Sequence, residues 1–467
     1  MLLSFKRGNE MGKDRNKIDM INGSVWNKLP AFALPVAATA ILEQLFNASD
    51  IAVVGNFAGE YKTAAVAAVG ANSPVIGLVV NMFIGISLGA NVVIANAIGR
   101  NNKGAVKRAV HSSILIALIC GTAVAVIGEL LAGKVLGMLN VPDDVLPLAI
   151  QYFRIYLIGM PVILLYNFEA AIFRSVGDTK TPLLALGAGG ILNVILNLFF
   201  VIVLKMTVEG VAIATVVSNA VSSVILFIVL LRTDKCIKVE IKELKIDRLS
   251  LRSIMKIGMP AGLQSAVFAI SNIIIQSAIN SLGTVVIAAS SAAYNIEIFA
   301  YDVLNSFTQA CTTFVGQNYG AGKIKRCKKI LAMSIAEDTV ASVTAIGIVL
   351  LSGRFLLSIF NSDPEVIEIG YSRLVIVLSA YIFCMLYEMF SGYLRGFGIS
   401  LVPAILTTIG VCGIRIAWIE FIFPRTPTFT TIMTVYPVSL SATALLNFLA
   451  LLIYKPSKRF KPREEKE

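Results

Sequence analysis

The chain has 467 residues, of which 57% are hydrophobic and 15% are charged, and its mean hydropathy is +0.80. Soluble domains carry about 25% charged residues, so this balance excludes a soluble globular protein and indicates a polytopic membrane protein. The formal net charge of +12 would also suit a nucleic-acid partner. The positions of the basic residues decide between these two explanations.

Twelve segments are apolar and long enough to cross a bilayer, which takes about 20 residues per helix. The predicted helices 1 to 12 are Leu29–Gly55, Ala64–Ala97, Ala109–Ala132, Leu146–Phe173, Thr181–Leu204, Val208–Leu231, Leu251–Ser281, Val285–Val315, Ile330–Leu351, Ile367–Leu394, Leu401–Phe423 and Ile432–Tyr454. Residues 1–28 contain no apolar run with a cleavage site, so we interpret them as a cytosolic lead and not as a signal peptide. Residues 455–467 are predicted to be a basic cytosolic tail.

Lysine and arginine concentrate in the N-terminal lead, after every even-numbered helix and in the tail. The opposite side carries only Lys62, Lys134, Lys205, Arg354 and Arg425. Because cytoplasmic loops are enriched in basic residues, both termini are predicted to be cytoplasmic and the protein to lie in the cytoplasmic (inner) membrane. The same distribution accounts for the net charge, so we expect the lipid bilayer and no nucleic acid as a partner.

The two halves of the sequence repeat each other at a nearly constant spacing. A shift of 221 residues aligns Gly99 with Gly320, Asn140 with Asn361, Val145 with Val366, Tyr166 with Tyr387, Arg174 with Arg395, Gly177 with Gly398, and Pro182 with Pro403. A shift of 225 residues aligns Pro35 with Pro260. Six helices separate the copies, which predicts parallel repeats. We therefore predict an N-terminal lobe at 29–231, a cytosolic linker at 232–250 and a C-terminal lobe at 251–454.

Two six-helix halves that enclose a cleft are typical of a transporter, in which one half moves against the other around a central site. The sequence contains no GxxxxGK[ST] phosphate-binding loop, so an ion gradient is expected to drive transport. An enzyme is disfavoured, because the single histidine, His111, lies at the cytoplasmic start of helix 3 and there is no HExxH motif. The six cysteines are scattered without a CxxC pair. We expect no catalytic residues and no cofactor other than a coupling ion, Na⁺ or H⁺.

An ordered set of motifs resembles the MATE (multidrug and toxic compound extrusion) family of secondary transporters. The motifs are "SDIAVVG" ending helix 1, "SLGANVVIANAIGRNN" ending helix 2, "FRSVGDTKTP" after helix 4, "ILNVILN" in helix 5, "VEGVAIATVVSN" opening helix 6 and "TTFVGQNYGAGKIKR" ending helix 8. Each motif is weak alone, but together they cover nearly the whole chain in order. The resemblance implies twelve helices in two lobes and the export of organic, often cationic, compounds in exchange for Na⁺ or H⁺.

Polar residues within the predicted membrane helices are the candidate functional residues, because a carboxyl group at a helix centre costs about 2.5–3.5 kcal/mol on insertion scales. In helix 1, Glu43, Asn47 and Asp50 are spaced to share one face. In helix 5, Asn193 and Asn197 share a face. Polar residues of helix 6 form a third stripe, at Thr215, Ser218, Asn219 and Ser222. Oxygen ligands from several helices suit a hard cation such as Na⁺, and a carboxyl shielded from water can exchange a proton near neutral pH.

The resemblance sharpens the assignment of this site. It implies that Asp50 is the coupling aspartate of the N-terminal lobe and that Asn193 and Thr215 belong to the same cluster, with Tyr152 as a looser match. The family often carries an aspartate where this chain has Asn197, which removes one carboxylate. The implied Na⁺ ligands are Asp50, Asn193, Asn197 and Thr215. Pro35 matches a proline at which helix 1 bends.

The predicted C-terminal lobe departs from part of the family, because Phe268 stands where some members carry a glutamate. Its other acids are Glu297 and Asp302 in helix 8 and Glu388 in helix 10. They would either face the cleft and attract a cationic substrate or form hydrogen bonds inside the lobe.

Two other functions remain open at this point. A flippase for a lipid-linked glycan or another amphipathic, lipid-like substrate would need basic residues in the cleft, and the candidates are Arg154, Arg373 and Arg415. A membrane scaffold or sensor would not need buried acids. For the transporter we expect small-molecule organic substrates and function as a monomer.

Overall fold

The structure is a computed structural model that describes residues 18–138 and 141–459, and these residues form helices and turns without a strand. Predictions for most of the N-terminal lead, for Asn140 and for most of the tail fall outside the described residues. The helices are α1 (Lys28–Phe57), α2 (Lys62–Gly99), α3 (Lys103–Met138), α4a (Leu146–Ile158), α4b (Met160–Ser175), α5 (Lys180–Leu198), α6 (Val208–Arg232), α7 (Arg248–Asn280), α8 (Thr284–Gly320), α9 (Ile324–Phe360), α10a (Pro364–Ser379), α10b (Tyr381–Gly396), α11a (Leu401–Thr407), α11b (Ile414–Phe421), α12 (Phe429–Tyr454) and α13 (Pro456–Arg459). A π-helical segment extends α5 through residues 199–203, and another joins α11a to α11b through residues 408–413.

Among the described residues, ten helices are long and apolar enough to cross a membrane, and two further pairs of helices qualify when each bent pair is taken as one span. Both pairs correspond to segments that the sequence predicts as single helices. The prediction of an all-α membrane protein with up to twelve spans is therefore confirmed.

The predicted helices 4 and 10 are not continuous in the structure. The chain bends by 50° between α4a and α4b at Gly159, and by 41° between α10a and α10b at Ala380. Pro161 follows the first break and lacks the N–H that a continuous helix would use. No proline follows the second break. The two breaks nevertheless stand 221 residues apart, so they are equivalent positions of the internal repeat.

The turns after these bent helices repeat in detail. Gly177 and Gly398, which the shift of 221 aligns, have φ of 83° and 81°. These are left-handed conformations that favour glycine. In each copy the residue after the glycine donates its N–H to a carbonyl near the helix end, from Asp178 to Phe173 and from Ile399 to Leu394. The internal repeat predicted from identical residues is therefore also a repeat of backbone conformation.

The chain divides into two compact units. Of the described residues, the first contains 18–22, 38–98, 102–138 and 141–254. The second contains residues 23–37, 99–101 and 255–459. These units resemble the predicted lobes, except that the first third of α1 groups with the second unit and the linker groups with the first.

The segment between α6 and α7 is bound to α3 within the first unit. Lys107 Nζ lies 2.7 Å from a Glu240 carboxylate oxygen and 2.8 Å from one of Glu243. The hydrogen bond from Lys107 lowers the pKa of Glu240 below its ordinary value. The buried His111 accepts the backbone N–H of Glu240 on Nε2 at 3.1 Å. His111 therefore has a structural contact near the start of its helix, with the segment between α6 and α7.

Candidate functional site

Close packing of α5 against its neighbours sets up the polar site of the first unit. A Cβ atom on Gly190 would collide with the ring of Phe46 of α1, and one on Gly189 would collide with the Ser222 hydroxyl of α6. Only glycine lets both helices approach α5 this closely. Asn193 lies one turn further along α5, and Asn197 lies a turn beyond it. The amide side chains are therefore held between α1 and α6.

Asp50 is at the centre of this site and is 4% exposed. Asn197 Nδ2 donates to Asp50 Oδ1 at 2.6 Å, and Thr215 Oγ1 donates to Asp50 Oδ2 at 2.8 Å. Both partners are uncharged. Among the described residues, Asp50 takes part in no ion pair with a lysine or arginine. The carboxylate is thus solvated by neutral donors and retains the capacity to bind a cation or a proton.

A second layer of hydrogen bonds fixes these partners. Asn197 Nδ2 also lies 3.1 Å from Asn193 Oδ1, and Asn193 Nδ2 lies 3.4 Å from Thr215 Oγ1. Asn197 is fully buried, and its Oδ1 has no hydrogen-bond partner among the described residues. A buried carbonyl oxygen without a donor costs free energy, and a cation beside it would remove that cost. The structure therefore brings together all four residues of the Na⁺ set predicted from the sequence.

The polar residues line a cavity of about 140 Å³ within the first unit. Of the predicted residues, Glu43, Asn47, Asp50, Asn193 and Thr215 are on its wall. The wall also includes Tyr156, Tyr166 and Asn167, which the sequence analysis did not assign to the site. Tyr152 is buried in the adjoining apolar core and does not line the cavity, but its ring lies 6.2 Å from that of Tyr156. The spacing of the two tyrosines, one helical turn apart, was the available signal for Tyr156.

Pro35 lies inside α1, as predicted. A proline within a helix removes one backbone hydrogen bond and favours a bend. The boundary between the two compact units crosses α1 after Ala37, close to this proline. Pro35, which interrupts the backbone hydrogen bonding of α1, is therefore two residues from the boundary between the two units.

The predicted acids of the second half occupy different environments within the second unit. Glu297 forms a two-pronged ion pair with Arg373, with N–O distances of 2.6 and 3.1 Å, and Arg373 also donates to Ser290 Oγ at 2.6 Å. Glu388 lies 4.0 Å from Arg395. Asp302 is 9% exposed. Glu297 is thus held by an internal ion pair, which was one of the two alternatives for these acids.

Three further buried acids were missed by the sequence analysis. Glu169 of α4b is fully buried and accepts from Ser223 at 2.8 Å. Glu337 and Asp338 of α9 are 5% and 0% exposed, and Ser342 donates to Asp338 at 2.9 Å. The sequence did carry a signal for these acids, since each of them lies within a long apolar run.

The donor set does not suit a transition metal. Among the described residues, no group of three or more His, Cys, Asp or Glu side chains is placed to hold a metal ion. The cysteines at 120, 236, 311, 327, 384 and 412 are free thiols. One carboxylate with amide and hydroxyl oxygens instead matches a hard ion of low charge.

A model of the family described as MatE matches residues 35–199 and 260–419. The chain belongs to the MATE family. The two matched stretches begin at Pro35 and Pro260, the pair that the shift of 225 aligns. Members of this family are membrane transporters, so the MATE chain is a multi-pass membrane transporter.

Individual relatives agree with the family assignment. The MATE chain is 25% identical over 403 residues to the "Probable multidrug resistance protein YoeA" of Bacillus subtilis, covering 84% of this chain and 86% of the relative. It is 27% identical over 394 residues to the "Probable multidrug resistance protein NorM" of Thermotoga maritima, covering 83% and 84%. Both relatives are named for drug resistance, which does not favour the flippase alternative.

A solved structure supports the fold. The outward-facing conformation of a multidrug resistance MATE family transporter superposes with a TM-score of 0.85 at 21% identity, over 94% of this chain and 98% of the other.

The three arginines that the flippase alternative would need in the cleft have different environments in the structure. Arg154 pairs with Glu129 at 3.2 Å and is 55% exposed, whereas Arg373 and Arg415 are buried in the second unit.

Proposed function

We propose that the chain is an antiporter that exports drug-like organic compounds, mainly cations, in exchange for Na⁺ or H⁺ bound at Asp50. The observation that carries the proposal is the Asp50 carboxylate, which is buried, borders a cavity and is bonded only by the neutral donors Asn197 and Thr215. A carboxylate that already had a permanent cationic partner would gain little from binding a coupling ion.

The coupling step follows from the hydrogen bonds around the carboxylate. A cation at Asp50 competes with the donated N–H and O–H groups, so Asn197 and Thr215 must turn their oxygens toward the ion. These two residues belong to α5 and α6, whereas Asp50 belongs to α1. Ion binding therefore changes how α1 is held against α5 and α6. In the proposal, α1 responds by bending at Pro35, the cavity changes shape and the substrate is released outward.

The sign of the substrate charge is proposed from the acids. Glu43 lines the cavity and is partly exposed, and Asp302 is a further carboxyl group within the second unit. These carboxylates favour an organic cation over a neutral compound of the same shape.

The proposal also covers the membrane location, the topology and the oligomeric state of the transporter. Basic residues in the loops after the even-numbered helices support a cytoplasmic-membrane protein with both termini in the cytoplasm. One chain contributes every residue of the Asp50 site, which supports a functional monomer. Export then requires the two repeats to alternate access to the two sides of the membrane.

The test is dye export by reconstituted proteoliposomes, with ethidium as the cationic probe. Na⁺ and H⁺ gradients are imposed separately. We expect Asp50→Asn to abolish gradient-driven export, while its thermal unfolding temperature stays close to that of the unaltered protein, because asparagine keeps the volume and can still accept from Asn197. The matched control is Asp363→Asn, which makes the same change at an exposed residue that caps α10a.

The gradient that drives export in the unaltered protein identifies the coupling ion. Normal export by well-folded Asp50→Asn protein would remove Asp50 from the coupling role. Ethidium export that neither gradient stimulates would reject the antiporter.

A further inference from the structure

A second buried site is centred on Arg415 of α11b, in the second unit. The side chain is 1% exposed. Its Nε donates to Ser439 Oγ at 3.3 Å, and its Nη1 donates to Asn272 Oδ1 at 3.1 Å. The guanidinium also lies 4.4 Å from the ring centroid of Tyr436 and 5.2 Å from that of Phe268. Every one of these partners is neutral.

The nearby Arg373 is arranged differently. Glu297 neutralises it through the two-pronged ion pair, and its guanidinium lies 5.8 Å from the centroid of the same Tyr436 ring. Two guanidinium groups thus share one aromatic ring, but only one has a carboxylate. Among the ion pairs of residues 18–138 and 141–459, none includes Arg415.

The missing counter-charge matters because an arginine side chain stays protonated in proteins. Arg415 is the fifteenth residue of a 25-residue candidate span, Leu401–Arg425. It is therefore near the middle of the membrane, about 15 Å along the helix from Arg425. Cation–π contacts and hydrogen bonds to neutral groups stabilise the guanidinium, but they leave its net charge uncompensated at this depth. An anionic group would complete the site.

Several residues around this pair of arginines are not fully buried. Phe268 and Asn272 of α7 are only partly buried. Tyr294, whose ring centroid lies 5.7 Å from the Arg373 guanidinium, is 46% exposed. The aromatic rings beside Arg415 would also favour a flat, apolar body next to the anionic group.

We propose that Arg415, with Asn272, Ser439 and Tyr436, is a subsite for the carboxylate or phosphate group of a transported compound. This inference rests on the proposed export function and extends its substrates from simple cations to zwitterions and aromatic anions. The planar guanidinium provides parallel N–H donors that match both groups. The depth of Arg415 favours a transported compound over a lipid headgroup, whose phosphate remains near the bilayer surface.

The chain carries its own reporter for this subsite. Trp418 is three residues after Arg415 on the same helix, and its Nε1 donates to Thr431 O at 2.9 Å. The only other tryptophan is Trp26. In a Trp26→Phe background, the purified protein in phosphatidylcholine nanodiscs is titrated with three quenchers that share one ring: 4-nitrobenzoate, 4-nitrobenzamide and 4-nitrobenzylammonium.

We expect 4-nitrobenzoate to quench Trp418 with the highest affinity of the three. Arg415→Gln should weaken its binding at least 10-fold and leave the Kd of the neutral amide within about twofold. Arg415→Lys keeps the charge but loses the forked pair of donors. The Kd of 4-nitrobenzoate in this variant should lie between those of the unaltered protein and Arg415→Gln. The control is Arg354→Gln, at an exposed arginine paired with Glu368. Equal loss for all three quenchers in both Arg415 variants would reduce the residue to a packing role and overturn the proposal.

Two further arms separate the alternatives. Replacing part of the phosphatidylcholine by phosphatidylglycerol repels 4-nitrobenzoate from the surface of every variant equally, so the ratio of its Kd in Arg415→Gln to its Kd in the unaltered protein should not change. A fall in that ratio would assign the site to the anionic lipid headgroup and overturn the proposal. Binding is measured without an ion gradient. A protein that binds 4-nitrobenzoate through Arg415 but shows no driven export retains the subsite and loses the antiporter function, whereas driven ethidium export without carboxylate binding does the reverse.

Discussion

Two buried acids, one in each unit, are held in opposite ways. In the first unit, Asp50 is bonded to neutral amide and hydroxyl donors. In the second, Glu297 is locked to Arg373 at 2.6 Å. An internal ion pair is already neutral and resists change, whereas a carboxylate held by neutral donors can gain and lose a cation. The comparison supports the proposed ion exchange at Asp50 and indicates that Glu297 and Arg373 form a permanent framework pair in the second unit.

The internal repeat allows the buried residues of the two units to be compared at equivalent positions. At the shift of 221, Tyr152 of α4a corresponds to Arg373 of α10a. At the shift of 225, Asp50 corresponds to Ile275, which is 2% exposed in the apolar core of the second unit. The two repeats therefore share helices, breaks and turns while their buried polar residues have diverged.

The largest expected effect comes from breaking the internal ion pair. Glu297→Gln leaves Arg373 buried beside a neutral partner, and removing one member of a buried pair costs about 3–5 kcal/mol. We expect a large fall in the thermal unfolding temperature of the purified protein. The double variant Glu297→Gln/Arg373→Met should recover most of the loss, because it removes the buried charge as well.

The same pair of variants tests the alternative role of Glu297. If Glu297→Gln unfolds at the temperature of the unaltered protein but exports no ethidium, then Glu297 is a substrate-binding acid and the framework interpretation is wrong. Failure of the double variant to recover would instead show that the packing around both side chains dominates.

The next effect is expected at the ion site itself. Asn197→Ala removes the 2.6 Å hydrogen bond to Asp50, and a hydrogen bond to a charged group contributes about 1.5–3 kcal/mol. The apparent affinity for the coupling ion, measured from the dependence of ethidium export on its concentration, should change by one to two orders of magnitude. The control is Asn56→Ala, because the amide of Asn56 donates to Ala52 of its own helix. Equal effects of both variants would assign the loss to helix stability.

A smaller effect is expected where α5 meets α1. Gly190→Ala places a methyl group against the Phe46 ring, and such overpacking costs about 1–3 kcal/mol. Gly187→Ala, on the same helix, meets nothing within 4 Å and should be neutral or stabilising. Combining Gly190→Ala with Phe46→Ala should cost less than the sum of the two single variants, because the methyl group no longer meets a ring. If Gly190→Ala is as stable as Gly187→Ala, the close approach of α1 and α5 does not hold the site together.

The sequence predicts the parts of this molecule that depend on local pattern. The membrane helices follow from runs of apolar residues, and the stripe that ends at Asp50 follows from helical spacing. The break at Ala380 is not predictable in this way, because it lies in an apolar run without a proline. The pairing of Glu297 with Arg373 also depends on which helices become neighbours, 76 residues apart in the chain. Long-range packing decides whether a buried acid is an ion site or one half of a framework pair.

The smallest expected effect distinguishes the two equivalent turns. Asp178 Oδ1 accepts the Thr181 N–H of α5 at 3.1 Å, and its Oδ2 lies 3.2 Å from Lys235 Nζ. The second repeat has Ile399 at this position and closes the same turn without a carboxylate. We therefore expect Asp178→Ala to lose only the cap of the first turn of α5, about 0.5–2 kcal/mol of unfolding free energy.

The measurement is the unfolding temperature together with ethidium export per folded molecule, which should not change. Asp178→Asn is the informative companion, since asparagine caps a helix about as well as aspartate but cannot pair with Lys235. We expect it to unfold close to the unaltered protein. The Lys235 side chain is 25% exposed, so it returns to water at little cost when its partner loses charge. Equal destabilisation by the asparagine and alanine variants would mean that the ion pair, and not the cap, distinguishes the first turn from its repeat.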